Sequence, residues 1–328
     1  MTYKVAIIGL GNIGMLYDHE LPAQDFVLSH ARAFYLHPDF ELVGAVDTDL
    51  THRNYFSKTY NAATFSSVRQ LFVHAAPEIF VVSSPTSTHQ VLIEQILASC
   101  KAKGVLCEKP LANDSAEAQK MVDACITNQL PLYVNFIRRA DPGVLEVKSR
   151  LESGQIVMPF KAIVWYSKGL LHNGSHFADL LTFWFGPIIA TKLINPGRTL
   201  SMHDAEPDVE LTFRQGKAMF IAASEENFSH CTVEVVAANG RLRYEHGGAI
   251  FWQSIAPHQT LKGYRQLDPL PEIIGNGMNH YQYHVVEQLH MALGGAQHTL
   301  CSGAWAAKTQ ASLENCINNQ YEIDTHHE

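Results

Sequence analysis

The amino-acid sequence predicts two domains, an α/β domain with a parallel sheet and an α+β domain with an antiparallel sheet. Over roughly the first 130 residues, short apolar runs alternate with helical patterns. Near Asp141-Pro142 this alternation ends, and β-like segments separated by turn signals follow Val157. Alternating strands and helices are typical of βαβ units, whereas strands joined by tight turns are typical of antiparallel sheets. We therefore divide the chain into 1–135 and 136–328.

The individual elements follow from apolar periodicity and from the glycine, proline and asparagine residues between periodic segments. In the first domain we predict strands at 5–8, 42–46, 79–83, 105–107 and 132–135, and helices at 29–36, 90–99 and 116–128. In the second we predict helices at 144–153, 174–185, 278–293 and 302–318, and strands at 160–167, 209–213, 218–223 and 232–237. Gln215-Gly216 and Asn239-Gly240 mark turns between neighbouring strands.

The composition is that of a folded chain with a sizeable core. Of its 328 residues, 46% are hydrophobic and 17% are charged, and the net charge is −8. This length suits two domains of ordinary size. Lysines and arginines are scattered singly, so we predict neither a nucleic-acid partner nor a membrane partner.

The cysteines and the N-terminal residues favour a cytoplasmic protein. Six cysteines form no C-x-x-C pair, which predicts reduced, mostly buried thiols. Lys4 precedes an apolar run as in a signal peptide, but three glycines within six residues and the lack of a small-residue cleavage site argue against one. The most apolar later stretch, 163–193, carries lysines, histidines and Asp179, so we predict no membrane span.

A glycine-rich turn follows the first predicted strand. Its sequence is Gly9-Leu10-Gly11-Asn12-Ile13-Gly14, directly after an apolar run, which is the context that a dinucleotide-binding turn requires. In such turns the first glycine allows the tight bend, the second lets the backbone approach a pyrophosphate, and the third lets helix and strand pack closely. The helix N terminus then offers N–H groups to the anion. The pattern favours nucleotide binding over a glycine-rich loop without a ligand.

An acidic residue, Asp47, ends the second predicted strand. It lies 33 residues beyond Gly14 (47 − 14), further than the usual ~20, and we attribute the excess to an insertion around 19–27 that breaks the first helix. A carboxylate there can accept bonds from both ribose hydroxyls but would repel a 2′-phosphate, and no basic residue follows until Arg53. We therefore predict NAD in preference to NADP. The alternative is that Asp47 is a turn residue that caps the next helix.

Later motifs in the same order complete a family pattern. Ser84-Pro85-Thr86, with His89, follows the third strand, and Glu108-Lys109-Pro110 ends the next. Downstream come Arg138-Arg139-Ala140-Asp141-Pro142 and the segment Gly174-x-His176-x-x-Asp179. In these residues and in its glycine turn the chain resembles the Gfo/Idh/MocA family of NAD(P)-dependent oxidoreductases, over nearly its whole length.

The resemblance implies a Rossmann domain over 1–135 and a C-terminal α+β domain over 136–328, whose mostly antiparallel open sheet often mediates homodimers or homotetramers. NAD, or less favourably NADP, would lie over the strand ends, with a carbohydrate-like small molecule between it and the second domain. The residues assigned to the cofactor are Gly9, Gly11, Asn12, Ile13, Gly14, Asp47, Ser84, Pro85, Thr86, His89, Glu108 and Lys109. Those assigned to the substrate are Lys109, Arg138, His172, Asn173 and His176.

Lys109 and His176 match the catalytic residues of the family. An ammonium beside the nicotinamide could hydrogen-bond the substrate hydroxyl and stabilise alkoxide character. A neutral imidazole could take the hydroxyl proton near neutral pH. Without the resemblance, Lys109 would be interpreted as a solvated strand-end lysine and His176 as a hydrogen-bonded core residue. In the family the peptide bond before the residue matching Pro110 is often cis.

His172 marks a departure from the family pattern. Many sugar and polyol dehydrogenases of the family carry an aspartate four residues before the catalytic histidine, where this chain has His172. The missing carboxylate puts in question both the proton relay and a simple polyol substrate. His172 or Asn173 could instead hydrogen-bond the substrate, or could simply start the helix.

The histidines also raise the question of a metal. His172 and His176, like His280 and His284, are four residues apart and would share one face of a helix. Zinc needs a third ligand, and His290 is too far along one helix to supply it, so we predict no metal. Cys107, beside Glu108, is interpreted as a packed strand residue rather than a nucleophile.

The leading hypothesis is therefore an oxidoreductase that transfers a hydride between NAD(P) and a hydroxyl or keto carbon of a sugar or nucleotide-sugar-like substrate. One alternative is a dinucleotide-sensing regulator of the same fold without catalysis. Another is a reductase of carbon–carbon or carbon–nitrogen double bonds, which would need no hydroxyl proton relay. The retention of both Lys109 and His176 favours the dehydrogenase over the regulator.

Overall fold

The computed structural model describes residues 2–98, 102–202, 204–223, 225 and 227–324, with the backbone alone for 319–324. The chain forms two compact units. Unit 1 comprises Met1–Ala140 and Asn279–Lys308, and unit 2 comprises Asp141–Met278 and Thr309–Glu328. The chain first passes from unit 1 to unit 2 after residue 140, five residues beyond the predicted boundary at 135 (140 − 135). Residues 279–308, which the sequence assigns to the second domain, belong to unit 1.

The helices and strands follow one another in three groups. Up to residue 140 they are β1 (Tyr3–Ile8), α1 (His30–Leu36), β2 (Phe40–Val46), α2 (Leu50–Tyr60), β3 (Thr64–Phe65), α3 (Val68–His74), β4 (Ile79–Val82), α4 (His89–Ala98), β5 (Gly104–Cys107), α5 (Ser115–Thr127) and β6 (Leu132–Val134). The predicted end of the fourth helix at residue 99, like Cys100, lies outside the described residues.

The second group belongs to unit 2. It comprises α6 (Pro142–Glu152), β7 (Phe160–Tyr166), α7 (Ser175–Phe185), β8 (Ala190–Ser201), β9 (Asp204–Phe213), β10 (Gly216–Ala222), β11 (Thr232–Ala237), β12 (Gly240–Tyr244), β13 (Ile250–Pro257), β14 (Arg265–Leu267) and β15 (Glu272–Ile274). The chain closes with α8 (Tyr281–Leu293), β16 (Cys301–Ser302) and α9 (Gly303–Asp324). Over the described residues, none of these helices combines the length and the apolar character needed to cross a membrane.

Unit 1 is built around a mixed sheet in the order β16-β6-β5-β4-β1-β2-β3. Every described pairing in it is parallel except that of β16 with β6. Residues Val5–Ile8 of β1 are buried on both faces, as in a sheet covered by helices on each side. The strand order reverses between β1 and β4, and in such sheets ligands bind in the crevice at the carboxyl ends of the strands at that point. The predicted Rossmann-type parallel sheet is confirmed.

The helix that follows the glycine turn is interrupted and then resumed. The backbone N–H of His30 donates to the carbonyl of Ile13 at 3.0 Å, and that of Ala31 donates to the carbonyl of Gly14 at 2.9 Å. The first residues of α1 therefore continue the hydrogen-bond pattern that the glycine turn begins, and the intervening chain loops out. This excursion accounts for the long spacing between Gly14 and Asp47.

Asp18 ties the two ends of this excursion together. Its side chain is fully buried, and its Oδ2 accepts bonds from the backbone N–H groups of Leu28 at 2.6 Å and Ser29 at 2.9 Å. The Ser29 hydroxyl donates to Oδ1 at 2.7 Å. Because a buried carboxylate needs such partners, the excursion has a defined closing point directly before α1.

Unit 2 is built on a larger sheet in the order β14-β13-β12-β11-β7-β10-β9-β8, with β15 paired to β13. Its described pairings are antiparallel except the parallel pair β7–β10. Along β7, buried residues alternate with exposed ones, including Ile163 and Trp165. One face of the sheet therefore packs on the core with α6 and α7, and the other is open. The predicted mostly antiparallel sheet is confirmed.

Candidate active site

The three glycines of the turn after β1 meet different surroundings. Gly9 has a φ of +99°, and a Cβ there would lie 2.5 Å from the backbone nitrogen of Ser84. A Cβ on Gly14 would lie 2.1 Å from the carbonyl oxygen of Gly9, whereas one on Gly11 would meet nothing within 4 Å. Gly9 and Gly14 are therefore required by close packing, and Gly11 leaves open space where a ligand can approach the backbone.

A cavity of about 830 Å³ opens beside this turn, at the carboxyl ends of β1, β2 and β4. Its volume lies within the range of small-molecule and cofactor pockets. Among the residues predicted to bind the cofactor, Gly9, Gly11, Asp47, Ser84 and Pro85 line it. The other predicted residues do not line it: Asn12, Ile13, Gly14, Thr86, His89, Glu108 and Lys109.

Several other residues that line this cavity were not predicted from the sequence. They come from α2, from the loop between β3 and α3, from the turn before α4 and from α4 itself, and include His52, Ser66, Ser67, Thr88, Leu92 and Gln95. Ser66 and Ser67 follow β3, which has only two residues, so no periodic pattern could have located its carboxyl end. The polar pair after an apolar Phe65 was the one available signal.

Asp47 joins the end of β2 to the glycine turn. Its Oδ2 accepts the backbone N–H of Leu10 at 2.6 Å, and its Oδ1 accepts that of Asp49 at 2.7 Å. The cap of α2 is Asp49, whose side chain accepts from the backbone N–H groups of Thr51 and His52. The alternative role of Asp47 as the cap of that helix is therefore filled by its neighbour.

Arg53, the first basic residue after Asp47, lies against the same strand end. Its Nη1 donates to the carbonyl of Asp47 at 2.7 Å and to the carbonyl of Thr48 at 3.0 Å. Arg53 is in the first turn of α2, and this nitrogen is bound by carbonyls of the loop that precedes the helix. The Nδ1 atom of His52 lies 3.6 Å from Asp47 Oδ2, so the carboxylate also faces an ionisable ring.

His89 connects two strand ends from a buried position. Its Nε2 lies 2.9 Å from the carbonyl of Ser84, after β4, and its Nδ1 lies 3.1 Å from the carbonyl of Leu111, after β5. The ring is 1% exposed. The structure thus places His89 behind the cavity wall, where it can position Ser84 rather than reach a ligand directly.

Glu108 lies at the centre of a buried polar network that the sequence did not reveal. Its Oε1 is 2.7 Å from His30 Nε2 and accepts a bond from Asn135 Nδ2 at 2.6 Å. The amide of Gln282, on α8, lies 3.0 Å from His30 and 3.2 Å from Asn135. His30, Asn135 and Gln282 are at most 2% exposed. Residues from four segments that are distant in sequence therefore meet at Glu108, the residue that precedes Lys109 in the chain.

The charge of Glu108 follows from these contacts. Burial by itself raises the pKa of its carboxyl, but the hydrogen bond and charge of His30, the bond from Asn135 and the nearby charge of Lys109 outweigh burial and lower the pKa. An ionised carboxylate thus precedes Lys109. Burial and the neighbouring Glu108 raise the pKa of the Cys107 thiol well above its usual value, which fits a packed residue rather than a nucleophile.

Lys109 and Arg138 follow neighbouring strands of unit 1. Lys109 comes two residues after β5, and the Lys109–Pro110 peptide bond is cis, as the resemblance implied. Arg138 lies in a short 3₁₀ turn, Ile137–Ala140, after β6. Because β5 and β6 are parallel neighbours, both side chains start from the carboxyl edge of the sheet.

The predicted residues of unit 2 lie at the start of a helical segment that is longer than predicted. A π-helical turn, Leu170–Gly174, carries His172 and Asn173 and runs directly into α7, where His176 is the second residue. His172 is exposed, and His176 is partly buried. Since a π-turn separates the two histidines, they do not have the regular α-helical spacing that we assumed in weighing a metal site.

Asp204 holds the start of this helical segment. Its carboxylate accepts the backbone N–H groups of Leu171 and His172, each at 2.9 Å. Burial raises the pKa of this carboxyl, and the backbone bonds act in the opposite direction. Within the described ranges, no group of three or more His, Cys, Asp or Glu side chains is arranged to hold a metal ion.

Comparison with known proteins agrees with this architecture. The family model GFO_IDH_MocA, described as an oxidoreductase family with an NAD-binding Rossmann fold, matches residues 3–136. Inositol 2-dehydrogenase 2 of Saccharopolyspora erythraea is 44% identical over 285 residues, which cover 80% of this chain and 75% of that protein. Inositol 2-dehydrogenase of Rubrobacter xylanophilus is 29% identical over 171 residues, and the match spans only 45% of that relative.

A solved structure shows the same fold over both units. It is the WlbA dehydrogenase of Bordetella pertussis in complex with NADH and UDP-GlcNAcA, with a TM-score of 0.72, 16% identity and coverage of 98% of each chain. At this identity the likeness concerns the fold alone. It confirms the predicted combination of a Rossmann domain with a second, mostly antiparallel domain.

Proposed function

Because the chain belongs to the Gfo/Idh/MocA family of oxidoreductases, we propose that it is an NAD-dependent dehydrogenase. It transfers a hydride between the nicotinamide and a hydroxyl or keto carbon of a carbohydrate-like small molecule. The observation that carries this proposal is the cavity at the reversal point of the parallel sheet, where an open Gly11 and the carboxylate of Asp47 lie on one wall.

The residues of this cavity fit NAD better than NADP. The Asp47 carboxylate keeps lone pairs for ribose hydroxyls beyond its two backbone bonds, and it would repel a 2′-phosphate. Arg53 Nη1 already donates to the carbonyls of Asp47 and Thr48, which opposes its use as a phosphate clamp. We therefore propose NAD as the preferred cofactor.

The substrate class is proposed from the relatives. A protein named inositol 2-dehydrogenase shares 44% identity over most of this chain, and a protein of the same fold is complexed with a nucleotide sugar. Both ligands offer a secondary hydroxyl on a ring. By the family resemblance, many sugar and polyol dehydrogenases carry an aspartate where this chain has His172, so this residue weighs against a simple polyol as the substrate.

The chemistry assigns a role to each catalytic residue. A bound nicotinamide would supply the hydride acceptor, which takes the hydrogen of the substrate C–H bond together with both electrons of that bond. In its neutral form, the imidazole of His176 would take the proton of the substrate hydroxyl, and the carbinol carbon would become a carbonyl carbon. As the family resemblance implies, the Lys109 ammonium would donate a hydrogen bond to a substrate oxygen on which negative charge develops. Ionised Glu108, behind Lys109, favours the charged form of that lysine.

The test is a pair of substitutions with a matched control. Lys109→Ala and His176→Ala should each lower turnover of NAD⁺ with myo-inositol or UDP-GlcNAcA about 100-fold or more, with NADH affinity within a few-fold of wild type. Lys120→Ala, at an exposed lysine of α5, should change neither. Normal turnover in both catalytic variants would contradict the dehydrogenase mechanism. Dinucleotide binding without turnover of any such substrate would favour the sensing regulator.

We further propose that the open face of the unit 2 sheet joins two copies of the chain. Ile163, Trp165 and Val236 are 44%, 40% and 52% exposed on the adjacent strands β7 and β11. Lys217 and Glu210 lie on the next strands and give the face both charges, which suits a self-complementary contact. In light scattering, Trp165→Glu should shift the protein toward monomer, and Ile126→Glu, at an apolar residue of α5 that is 66% exposed, should not.

A cytoplasmic location is also proposed, on the basis of the cysteines. Cys107, Cys125, Cys301 and Cys316 are buried in the described structure. Buried thiols of this kind suit a reducing compartment. Fractionation that recovers the protein outside the cytoplasm would contradict the proposal.

A further inference from the structure

Three acidic residues at alternate positions of β9 hold the main chain of other segments. Asp204 accepts from Leu171 and His172, and Glu206 accepts from the N–H groups of Lys168 at 2.5 Å and Gly169 at 3.3 Å. Asp208 accepts the N–H of Ala222, at the end of β10, at 2.9 Å. Since alternate residues of a strand point to one face, two of these carboxylates reach the segment before His176 and the third reaches a neighbouring strand.

The segment that Glu206 and Asp204 hold has an uncommon backbone conformation. Lys168 has a φ of +61° and Gly169 a φ of +93°. A Cβ on Gly169 would lie 2.0 Å from Asp204 Oδ2, so only glycine allows the carboxylate to come this close. Left-handed residues persist where surrounding contacts fix them, and the two carboxylates supply such contacts.

The turn sets the geometry of the helix that follows. The carbonyl of Gly169 accepts from the N–H groups of Asn173 at 3.1 Å and Gly174 at 3.0 Å. The second of these is the five-residue spacing of a π-turn, which is less stable than an α-turn and is frequent at functional sites. A slip to regular α-helical bonding would rotate His172 relative to His176.

Glu206 is itself fixed in place. Its side chain is completely buried, and its Oε2 is 2.6 Å from Arg198 Nε. Arg198 also donates from Nη2 to the carbonyl of Glu225 at 2.7 Å. A buried carboxylate with a guanidinium and two backbone donors is rigid, so it transmits the position of β9 to the turn.

We infer that Asp204 and Glu206 are positioning residues for His172 and His176, through the backbone of residues 168–172. The inference rests on the proposed function, because it assigns these carboxylates to the presentation of the proposed base. It predicts that the hydrogen bonds that Asp204 accepts from Leu171 and His172 select the π-turn and so set the direction of both imidazoles.

The kinetic test compares Asp204→Ala with Asp204→Asn and Asp208→Ala. Asp204→Ala should lower kcat about tenfold or more with the better of myo-inositol and UDP-GlcNAcA, and leave NADH affinity unchanged. Asp204→Asn keeps one of the two acceptor oxygens, so it retains the bond from only one of the two N–H groups and should lower kcat by less than Asp204→Ala does. Asp208→Ala also removes a carboxylate from β9. Because Asp208 accepts its bond from β10 rather than from the segment before His176, this variant should leave kcat unchanged.

Two readouts need no substrate. Hydrogen exchange of the N–H groups of Leu171 and His172 should accelerate in Asp204→Ala and stay slow in Asp208→Ala, and the NMR titration of His176 should shift in the first variant only. Asp204→Asn, the smaller change, serves if Asp204→Ala does not fold. Unchanged exchange, titration and kcat in both Asp204 variants would overturn the inference, as would equal effects of Asp208→Ala.

Including His176→Ala in the same assays separates this inference from the proposed function. If His176→Ala keeps full turnover, the proposed function fails whatever Asp204 does. If His176→Ala is inactive and Asp204→Ala is fully active, the positioning role alone fails.

Discussion

The glycine turn of unit 1 and the Lys168-Gly169 turn of unit 2 are each held by carboxylates, but they use glycine differently. In unit 1, Gly9 and Gly14 let two backbone segments pack against each other, and Asp47 adds one bond from the next strand. In unit 2, Gly169 makes room for the side chain of Asp204, which carries the bonds.

The difference explains which turn is visible in a sequence. A turn that depends on its own glycines has a local motif, because the spacing of the glycines is the structure. A turn that depends on Asp204 and Glu206 takes its geometry from a strand about 35 residues later, separated by an α-helix and another strand. Substitutions at the two turns can test this contrast.

The largest effect is expected at Gly9. Gly9→Ala combines a φ of +99° with a Cβ 2.5 Å from a backbone nitrogen, so we expect a loss of about 2–4 kcal/mol in the free energy of unfolding and about 100-fold or more in NADH affinity. A Cβ on Gly11 would meet nothing within 4 Å, so the free energy of unfolding of Gly11→Ala should lie within about 0.5 kcal/mol of the wild-type value. The same variant should still bind NADH more weakly. Denaturant unfolding and fluorescence titration measure both, and equal stability losses would break the contrast.

A smaller effect is expected at Gly169, because the Asp204 side chain can yield where a backbone cannot. Gly169→Ala should lower the free energy of unfolding by about 2 kcal/mol. Gly154→Ala is the matched control, since Gly154 has a φ of +76° with nothing within 4 Å, and it should lose only about 1 kcal/mol. Equal losses in thermal or denaturant unfolding would show that Asp204 does not crowd the turn.

Asp47 tests whether the carboxylate of unit 1 serves the ligand as well as the turn. Asp47→Ser should narrow the ratio of kcat/KM for NAD to that for NADP by about tenfold or more, because a like charge no longer meets the 2′-phosphate. Asp123→Ser, which removes an exposed charge from α5, should leave the ratio unchanged. A wild type that uses both cofactors equally would show that Asp47 only fastens Leu10 and Asp49.

The smallest effect concerns pH. The pKa of Glu108 is lowered from 4.5, so its carboxylate contributes stability that is fully present above the pKa of the unfolded chain and is lost as pH falls through the folded value. Glu108→Gln should therefore reduce the fall in the free energy of unfolding between about pH 6 and pH 3, by no more than about 1 kcal/mol. If the variant and the wild type lose stability equally as the pH falls, His30 and Asn135 do not hold Glu108 as the anion.

Much of the fold could be predicted because its signals are local. Each long strand of unit 1 has an apolar run, and α1 was placed within one residue by its Ser29 cap. Strand β8 escaped because it is largely exposed, contains Pro196 and Gly197, and pairs with β9 through several register shifts. Its irregular pairing leaves no period-two pattern to detect.

The site was predicted less completely, for a related reason. Sequence and resemblance singled out Gly9, Asp47 and Ser84, which line one cavity. The partners of Glu108 could not be found, because His30 and Gln282 lie 78 and 174 residues away along the chain (108 − 30 and 282 − 108). A polar group that is satisfied only by distant neighbours leaves no trace in local sequence.

The resumed helix after the glycine turn has one further consequence. The bonds from His30 to Ile13 and from Ala31 to Gly14 continue one helical hydrogen-bond pattern, although the residues they join are far apart along the chain. The hydrogen-bond register of the helix is therefore kept across residues 15–29, an inserted segment that Asp18 closes with bonds from Leu28 and Ser29. A sequence search for this family that counts residues from the last glycine of the turn to the acidic residue after the second strand should therefore leave out a segment inserted within the first helix.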